Sequence, residues 1–303
     1  MRTSIIIPIY NKREYTQKCL ESFFAVGSEY EFEIIVVDNG STDGSGEYLV
    51  SLGDKITVIS NKRNLGFAKA CNQGAKIAKG EYVLFLNNDT VVTNGWLDVL
   101  VKELDSNKKV VIIGPKLIYP DNTIQHAGIV FDEKKWPHHI YKKEQKDASY
   151  VNKKRLFQAM TGACLMIRND VFKKINGFDE IYVNGLEDLD LCLKVHDLGL
   201  NILYCPESVV YHYESITEGR SNYDEKNVKI FFSRWKEKIK TDYQSYLAED
   251  GMKDMGKFIK LSNSNQLSFK KLAYLIRRFF VIIRRDGFGW ALSKVWRRLT
   301  LRI

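Results

Sequence analysis

The chain has 303 residues, 45% of them hydrophobic and 27% charged, a globular balance that excludes a disordered chain and allows one large or two modest domains. Its five cysteines (Cys19, Cys71, Cys164, Cys192 and Cys205) are scattered and form no CxxC pair, which excludes a disulfide scaffold and reads as buried thiols in a reducing compartment. The net charge of +9 is local: residues 267–303 hold ten Lys or Arg against one acidic residue, and the remainder holds 36 of each sign, so no nucleic-acid partner is expected.

Residues 4–10 are a continuous apolar run and read as a buried strand. The run is too short for a signal peptide or a membrane span, and Pro8 and Asn11 interrupt it. A helix is predicted over 14–26, with Leu20, Phe23 and Phe24 inward. A second strand over 32–37 is broken by DNGSTDGS (38–45), and a helix follows to about Leu52. Residues 55–60 alternate as a third strand. The Ala-rich stretch 66–79 reads as a helix. A fourth strand over 82–86 ends at NNDT, a helix spans 95–105, and a strand spans 110–114. Strand–helix alternation with short links predicts a parallel sheet covered on both faces. Ligands of such sheets bind at the C-terminal strand ends, where both Asp-bearing loops fall.

The second part is mixed. Residues 116–131 suggest short strands or a hairpin, and the polar stretch 132–155 suggests a flexible excursion. Residues 159–167 are strand-like, and Asn169 or Asp170 is a candidate cap for a short helix to Ile175. A helix over 187–198 is stopped by Gly199. Short strands are expected at 201–205 and 208–211, a helix over 222–246, and a weakly patterned link over 250–266.

Three constellations carry chemistry. Asp38 ends the second strand, where a carboxylate beside a Gly-rich turn can meet a base or ribose; a plain Asx-turn is the alternative. Asp43, further along that loop, is a candidate for the same role or for a helix cap. In LNNDT, the strand delivers Asn87, Asn88 and Asp89 to the sheet edge. A hard divalent ion wants carboxylate oxygen there, and one carboxylate leaves a diphosphate to complete the site. In GLEDLDLCLK, Glu187, Asp188 and Asp190 crowd a helix start. The helix dipole favours one acid, but three repel one another, so one is a candidate general base. Leu189, Leu191 and Leu193 cannot share one face, so this helix is expected to be well buried. His212 follows an apolar strand and is a candidate metal ligand. His126, His138 and His139 have no comparable context, and His196 reads as a core residue.

Together these segments resemble family 2 of the inverting glycosyltransferases over roughly residues 3–220. SIIIPIYNK is similar to its opening strand, IVVDNGSTDGS to its nucleotide-binding segment, and NKRNLGFAKACNQG to the helix motif that follows. The resemblance implies nucleotide contacts at Pro8, Tyr10, Asp38, Asn64, Gly66, Asn88 and Asp89. LNNDT is similar to the DxD motif, with Asp89 as its metal-binding last position and Asn87 where the first Asp often stands. TGACLMIRNDVF resembles the acceptor-side wall. GLEDLDLCLK resembles the ED motif, which implies Asp188 as catalytic base with Glu187 beside it, and VVYHYESIT resembles a late motif whose His212 joins the metal.

The resemblance implies a GT-A fold: a Rossmann-like, mostly parallel α/β sheet flanked by helices, with a helical C-terminal extension. The implied division is a nucleotide-sugar-binding half (1–115), an acceptor-binding and catalytic half (116–246), and a linker with basic amphipathic helices (247–303). The implied enzyme is a hexosyltransferase using Mg²⁺ or Mn²⁺. The pattern is most like bacterial rhamnosyltransferases of polysaccharide assembly, which implies dTDP-rhamnose or a UDP-sugar as donor and a glycan or lipid-linked acceptor. The alternative is a non-catalytic nucleotide-sugar or glycan-binding protein on the same scaffold. A dinucleotide dehydrogenase is disfavoured, since PIYNKRE stands where G-x-G-x-x-G would follow the first strand.

In the tail, Leu272, Leu275, Ile276, Phe279, Phe280 and Ile283 form a helical apolar stripe beside Lys271, Arg278 and Arg285. Arginines interrupt every apolar run before spanning length. The expectation is a peripheral enzyme on the cytoplasmic face of the membrane, held to anionic lipid through 267–303. The competing readings are packing on the catalytic domain and assembly of a homo-oligomer.

Overall fold

The computed structural model describes residues 1–214 and 224–252; the basic tail lies outside the described residues. Residues 1–146 and 151–241 form one compact unit, which holds every candidate site residue. The first strand, β1 (Thr3–Ile9), is buried along its whole length, as a β-branched run covered on both faces should be. It is followed by α1 (Arg13–Val26), β2 (Phe32–Asp38), α2 (Ser45–Ser51), β3 (Thr57–Ser60), α3 (Phe67–Ile77), β4 (Tyr82–Leu86), β5 (Thr90–Val92), α4 (Trp96–Ser106) and β6 (Val110–Ile118). The small face of α3 lets it lie close on the sheet: a Cβ on Gly74 would stand 2.6 Å from Ile6 Cγ2. On the opposite face Phe23 of α1 meets Trp96 of α4 edge-on, with ring centroids 5.7 Å apart.

Then come β7 (Ile124–His126), β8 (Ile129–Phe131), β9 (Pro137–His139), β10 (Arg155–Phe157), β11 (Cys164–Arg168), α5 (Asn169–Lys174), α6 (Glu187–Asp197), β12 (Asn201–His212) and α7 (Asp224–Trp235). A last helix, α8 (Tyr243–Glu249), belongs to a second unit. The main sheet has the order β10-β12-β6-β11-β4-β1-β2-β3, with β5 on β12 and β7 on β6. It draws strands from both sides of residue 115. Strands β1 to β4 are parallel, β12 is parallel to β6, and β11 runs antiparallel between β4 and β6.

Several sequence expectations are corrected. The two short strands over 201–211 are one strand, β12, with a register shift between Cys205 and Val209; Pro206 lacks the N–H that an unbroken ladder needs. Strand β6 continues past Gly114 to Ile118 as its partner does. The polar excursion is tied down by β9, which pairs antiparallel with β8. The helix expected over 222–246 is broken after Trp235. The Gln158 side chain holds the Lys240 backbone there, accepting from its N–H at 2.9 Å and donating to its carbonyl at 2.7 Å. Neither Asn169 nor Asp170 caps α5; Arg168 occupies that place, and the Asn169 amide donates instead to the Gly80 carbonyl at 2.8 Å. His196 is partly buried rather than in the core. Helix α6 is buried at Leu189, Leu191, Leu193 and Val195, as expected. Among the described residues no helix is long and apolar enough to cross a membrane.

Candidate active site

A cleft opens at the C-terminal ends of β1 and β4. Its lining includes Pro8, Tyr10, Asn64, Asn88, Asp89, Glu187, Asp188 and His212, drawn from segments far apart in the chain. Two antiparallel pairings assemble it. Strand β5 lies on the end of β12 in the register Thr90↔His212, and the Tyr213 N–H donates to the Asp89 carbonyl at 3.0 Å. Asp89 and His212 are therefore neighbours although 123 positions separate them. Strand β11 lies against β4 in the register Cys164↔Leu86, with the Asn87 N–H donating to the Ala163 carbonyl at 2.9 Å. This carries Thr161, Gly162 and Ala163 to the cleft beside Asn87.

The first cluster is Asp89 and His212, both nearly buried, with Oδ1 and Nε2 3.1 Å apart. The other imidazole nitrogen, Nδ1, faces Gln125 Oε1 at 3.3 Å, and the Asn87 amide nitrogen stands 3.4 Å from Nε2. With Gln125 Oε1 accepting from Nδ1–H, Nε2 faces the carboxylate either as a second acceptor or as an N–H donor. Two acceptors in that position require a cation or a proton between them. A divalent ion fits this donor set. Among the described residues no three His, Cys, Asp or Glu side chains form a metal site by themselves, so an ion held by this pair would need further ligands.

The second cluster surrounds Asp188. Its Oδ2 accepts the Gly162 N–H at 2.7 Å, and its Oδ1 accepts from Leu189 N at 2.9 Å. Both are charge-assisted bonds that orient the carboxylate. Glu187 is buried, and its Oε2 accepts the Gly185 N–H. Asp190 points elsewhere. It is fully buried, and its Oδ1 accepts from Trp235 Nε1 at 2.8 Å, Tyr182 at 3.1 Å and Arg234 at 3.3 Å. Lys194 pairs with its Oδ2 at 2.9 Å. These partners make Asp190 a packing anchor for α7.

Two expected nucleotide contacts do not line the cleft. Asp38 is nearly buried, and its Oδ1 accepts the Ser41 N–H at 2.9 Å, an Asx-turn. Gly66, with φ of 87°, precedes α3, and its N–H donates to Asn64 Oδ1 at 2.9 Å. Asp43 joins the same loop to α1 by accepting the Arg13 N–H at 2.8 Å, and it also accepts from Ser45. Burial works against the Asp43 charge, but these bonds outweigh it and hold its carboxyl below the ordinary range.

The cleft also holds residues that the sequence reading missed: Gln125, His139, Asn184 and Glu214. His139 does have a context, since its Nδ1 lies 2.9 Å from that of the buried His126. Burial, with His139 and His212 nearby, drives the His126 pKa well below its usual value and keeps that ring neutral. Glu214 accepts from Tyr119 and from Lys142, the latter at 3.0 Å. A sequence signal existed only in the paired His138–His139, within a segment too polar to be read as a strand. The five cysteines are all buried. Burial pushes Cys19 and Cys205 up to about 12, so neither is a thiolate nucleophile near neutral pH.

The contact at Gly162 is tight enough to test. A Cβ there would stand 3.0 Å from Asp188 Cβ. Gly162→Ala is expected to shift the carboxylate by a few tenths of an ångström and, if Asp188 acts on a substrate, to lower turnover several-fold, about 10-fold at most, since misplacement of about 1 Å can cost 10²-fold. Steady-state kinetics with intact donor binding would show it; wild-type turnover would contradict it.

Comparison with known proteins bears on family and fold. The model "Glycosyl transferase family 2" matches residues 4–175, and "N-terminal domain of galactosyltransferase" matches 145–217. The O-antigen biosynthesis protein RfbC of Myxococcus xanthus is 28% identical over 222 residues, covering 71% of this chain. The chain spans 17% of the length of that relative, and 26% and 40% of two others that it matches. The N-acetylglucosaminyl-diphospho-decaprenol L-rhamnosyltransferase of Mycobacterium tuberculosis is 24% identical, covering 71% of this chain and 77% of its own. The crystal structure of GalNAc-T7 with UDP, GalNAc and Mn²⁺ superposes with a TM-score of 0.60 at 17% identity, over 86% of this chain and 56% of that one, and shares its GT-A fold. With a family model matched over more than half its length, this chain belongs to glycosyl transferase family 2.

Proposed function

We propose that the protein transfers a hexosyl group, with inversion, from a nucleotide-sugar to an acceptor hydroxyl in bacterial surface polysaccharide or glycolipid synthesis. The observation that carries this reading is that one cleft is lined both by an oriented carboxylate, Asp188, and by the acceptor pair Asp89–His212. The rhamnosyltransferase relative and the UDP and Mn²⁺ of the structural neighbour support dTDP-rhamnose or a UDP-sugar as donor and a lipid-linked acceptor.

In this reading Asp188 takes the proton of the acceptor hydroxyl as its oxygen attacks the anomeric carbon and the nucleoside diphosphate leaves. Gly162 N–H keeps the carboxylate aimed. Pro8, Tyr10, Asn64 and Asn88 line the donor side, and Asp38 and Gly66 shape the loops behind it. Asp89 and His212 would hold Mg²⁺ or Mn²⁺, which when bound neutralises charge on the departing diphosphate. Gln125 keeps His212 in the tautomer that leaves Nε2 available. The presence of Asp89 and Asp188 in one cleft argues against the binding-only alternative. The test is incubation of the protein with a panel of nucleotide-sugars, Mg²⁺ or Mn²⁺, and lipid-linked acceptors. Donor binding without transfer to any acceptor would favour a binding protein.

The basic tail is proposed to keep the enzyme at an anionic membrane surface. Its ten Lys or Arg contribute roughly 1 kcal/mol each where they approach such lipid. The full chain is expected to sediment with anionic vesicles at low salt and less at high salt, while a chain ending near Gln266 stays in solution. Equal vesicle binding by both would rule out the tail as anchor.

A further inference from the structure

Helix α7 lies outside every motif recognised in the sequence, yet it grips the segment carrying Asp188 at two places. Near its C-terminal end, Trp235 and Arg234 donate to Asp190. Near its N-terminal end, the Asn227 amide donates to the Gly185 carbonyl at 3.0 Å and reaches the Asn184 carbonyl at 3.5 Å.

The turn that Asn227 holds is strained. Asn184, Gly185 and Leu186 have φ of 73°, 122° and 71° in succession. Glycine adopts such angles freely and asparagine tolerates them, but a leucine Cβ crowds its own carbonyl there. Leu186 is the N-cap of α6, so its backbone sets the direction of the first turn, in which Asp188 is the second residue. The turn also touches the donor side, because Asn184 Oδ1 accepts the Phe67 N–H at 3.1 Å at the start of α3.

Asn227 is 1% exposed and does not line the cleft. Its amide can be oriented only one way, since the flipped form would set Oδ1 against two carbonyl oxygens. In that orientation Oδ1 is buried with no hydrogen-bond partner among the described residues. A fold retains an unsatisfied buried acceptor and a strained turn together where the geometry they fix is needed.

We propose that Asn227 is a positioning residue for the acceptor-side base: it locks the 184–186 turn so that Asp188 stays against the Gly162 N–H. This rests on the transferase reading of the cleft. The test compares Asn227→Asp and Asn227→Ala with Trp235→Phe in the full chain. Asn227→Asp keeps the shape and removes the donor. It is expected to lower kcat about 10-fold or more, with nucleotide-sugar affinity within about 3-fold of wild type, and to shift the acidic limb of the pH–rate profile. Hydrogen exchange over residues 183–190 should accelerate, and Asn227→Ala should behave alike. Trp235→Phe should lower Tm with kcat retained. Wild-type kcat in both Asn227 variants, with Tm lowered as in Trp235→Phe, would overturn the proposal and leave Asn227 a packing residue. If the wild-type protein transfers no sugar, the transferase reading fails by itself. Hydrogen exchange then judges the lock: acceleration at 183–190 supports it and unchanged exchange overturns it.

Discussion

Asp188→Asn is expected to lower kcat by about 10²–10⁴-fold, the range that a positioned general base contributes, while nucleotide-sugar affinity is preserved. The substitution keeps the shape, and the remaining carbonyl oxygen can still accept the Gly162 N–H now at 2.7 Å. Basicity is removed without a cavity, though the acceptor facing the Leu189 N–H at 2.9 Å is lost, so a fall in kcat with an unchanged melting temperature would assign the loss to proton transfer. The acidic limb of the pH–rate profile should vanish with it.

The neighbouring acids make the assignment falsifiable. Glu187 is buried, and its Oε2 accepts from the Gly185 N–H, so Glu187→Gln should disturb the turn and reduce rate less than Asp188→Asn does. Asp190→Asn should act on folding instead. It takes one charge from a fully buried group that faces Trp235, Tyr182, Arg234 and Lys194. A loss of about 1–3 kcal/mol follows from leaving such partners unsatisfied, read as a lower melting temperature. Near wild-type transfer by Asp188→Asn with an inactive Glu187→Gln would mean that the base had been assigned to the wrong carboxylate.

The pattern of what was legible follows from range. Strands β1, β2 and β4 stand out because they are buried on both faces and therefore read as unbroken apolar runs. The Asp-bearing loops stand out because Gly, Asn and Asp at strand ends have few other uses. Pairing across long separations left no local mark. Nothing in NNDTVV announces that Thr90–Val92 will lie on Val210–His212, and this pairing sets the Asp89–His212 geometry. Strand β12 was read as two pieces because Pro206 is a punctuation mark locally and only a bulge in the sheet. Gln125 and His139 were hidden in short strands of three residues, below the length at which alternation can be recognised. Asp38 has a conspicuous motif, and in the structure its Oδ1 closes an Asx-turn next to Asn39, which lines the cleft.

Asp89→Ala is expected to abolish transfer, by about 10³-fold or more if the bound cation contributes several kcal/mol to the departure of the diphosphate. The loss should not come from misfolding. The backbone of Asp89 is held by the Tyr213 N–H and by the Thr90↔His212 pairing, neither of which uses the side chain. The binding signature should separate it from Asp188→Asn: Mn²⁺ affinity in the presence of nucleoside diphosphate falls in Asp89→Ala and stays unchanged in Asp188→Asn. Gln125→Leu provides an intermediate case. It leaves both expected ligands in place and removes the acceptor that faces His212 Nδ1 at 3.3 Å, and loss of such an outer partner weakens metal binding by about 10–100-fold. Full turnover by the wild-type protein in excess chelator would sink the metal reading. The Asp89 carboxylate and the His212 lone pair would then have a proton between them, and the pair would serve as a hydrogen-bonded strut beneath the diphosphate.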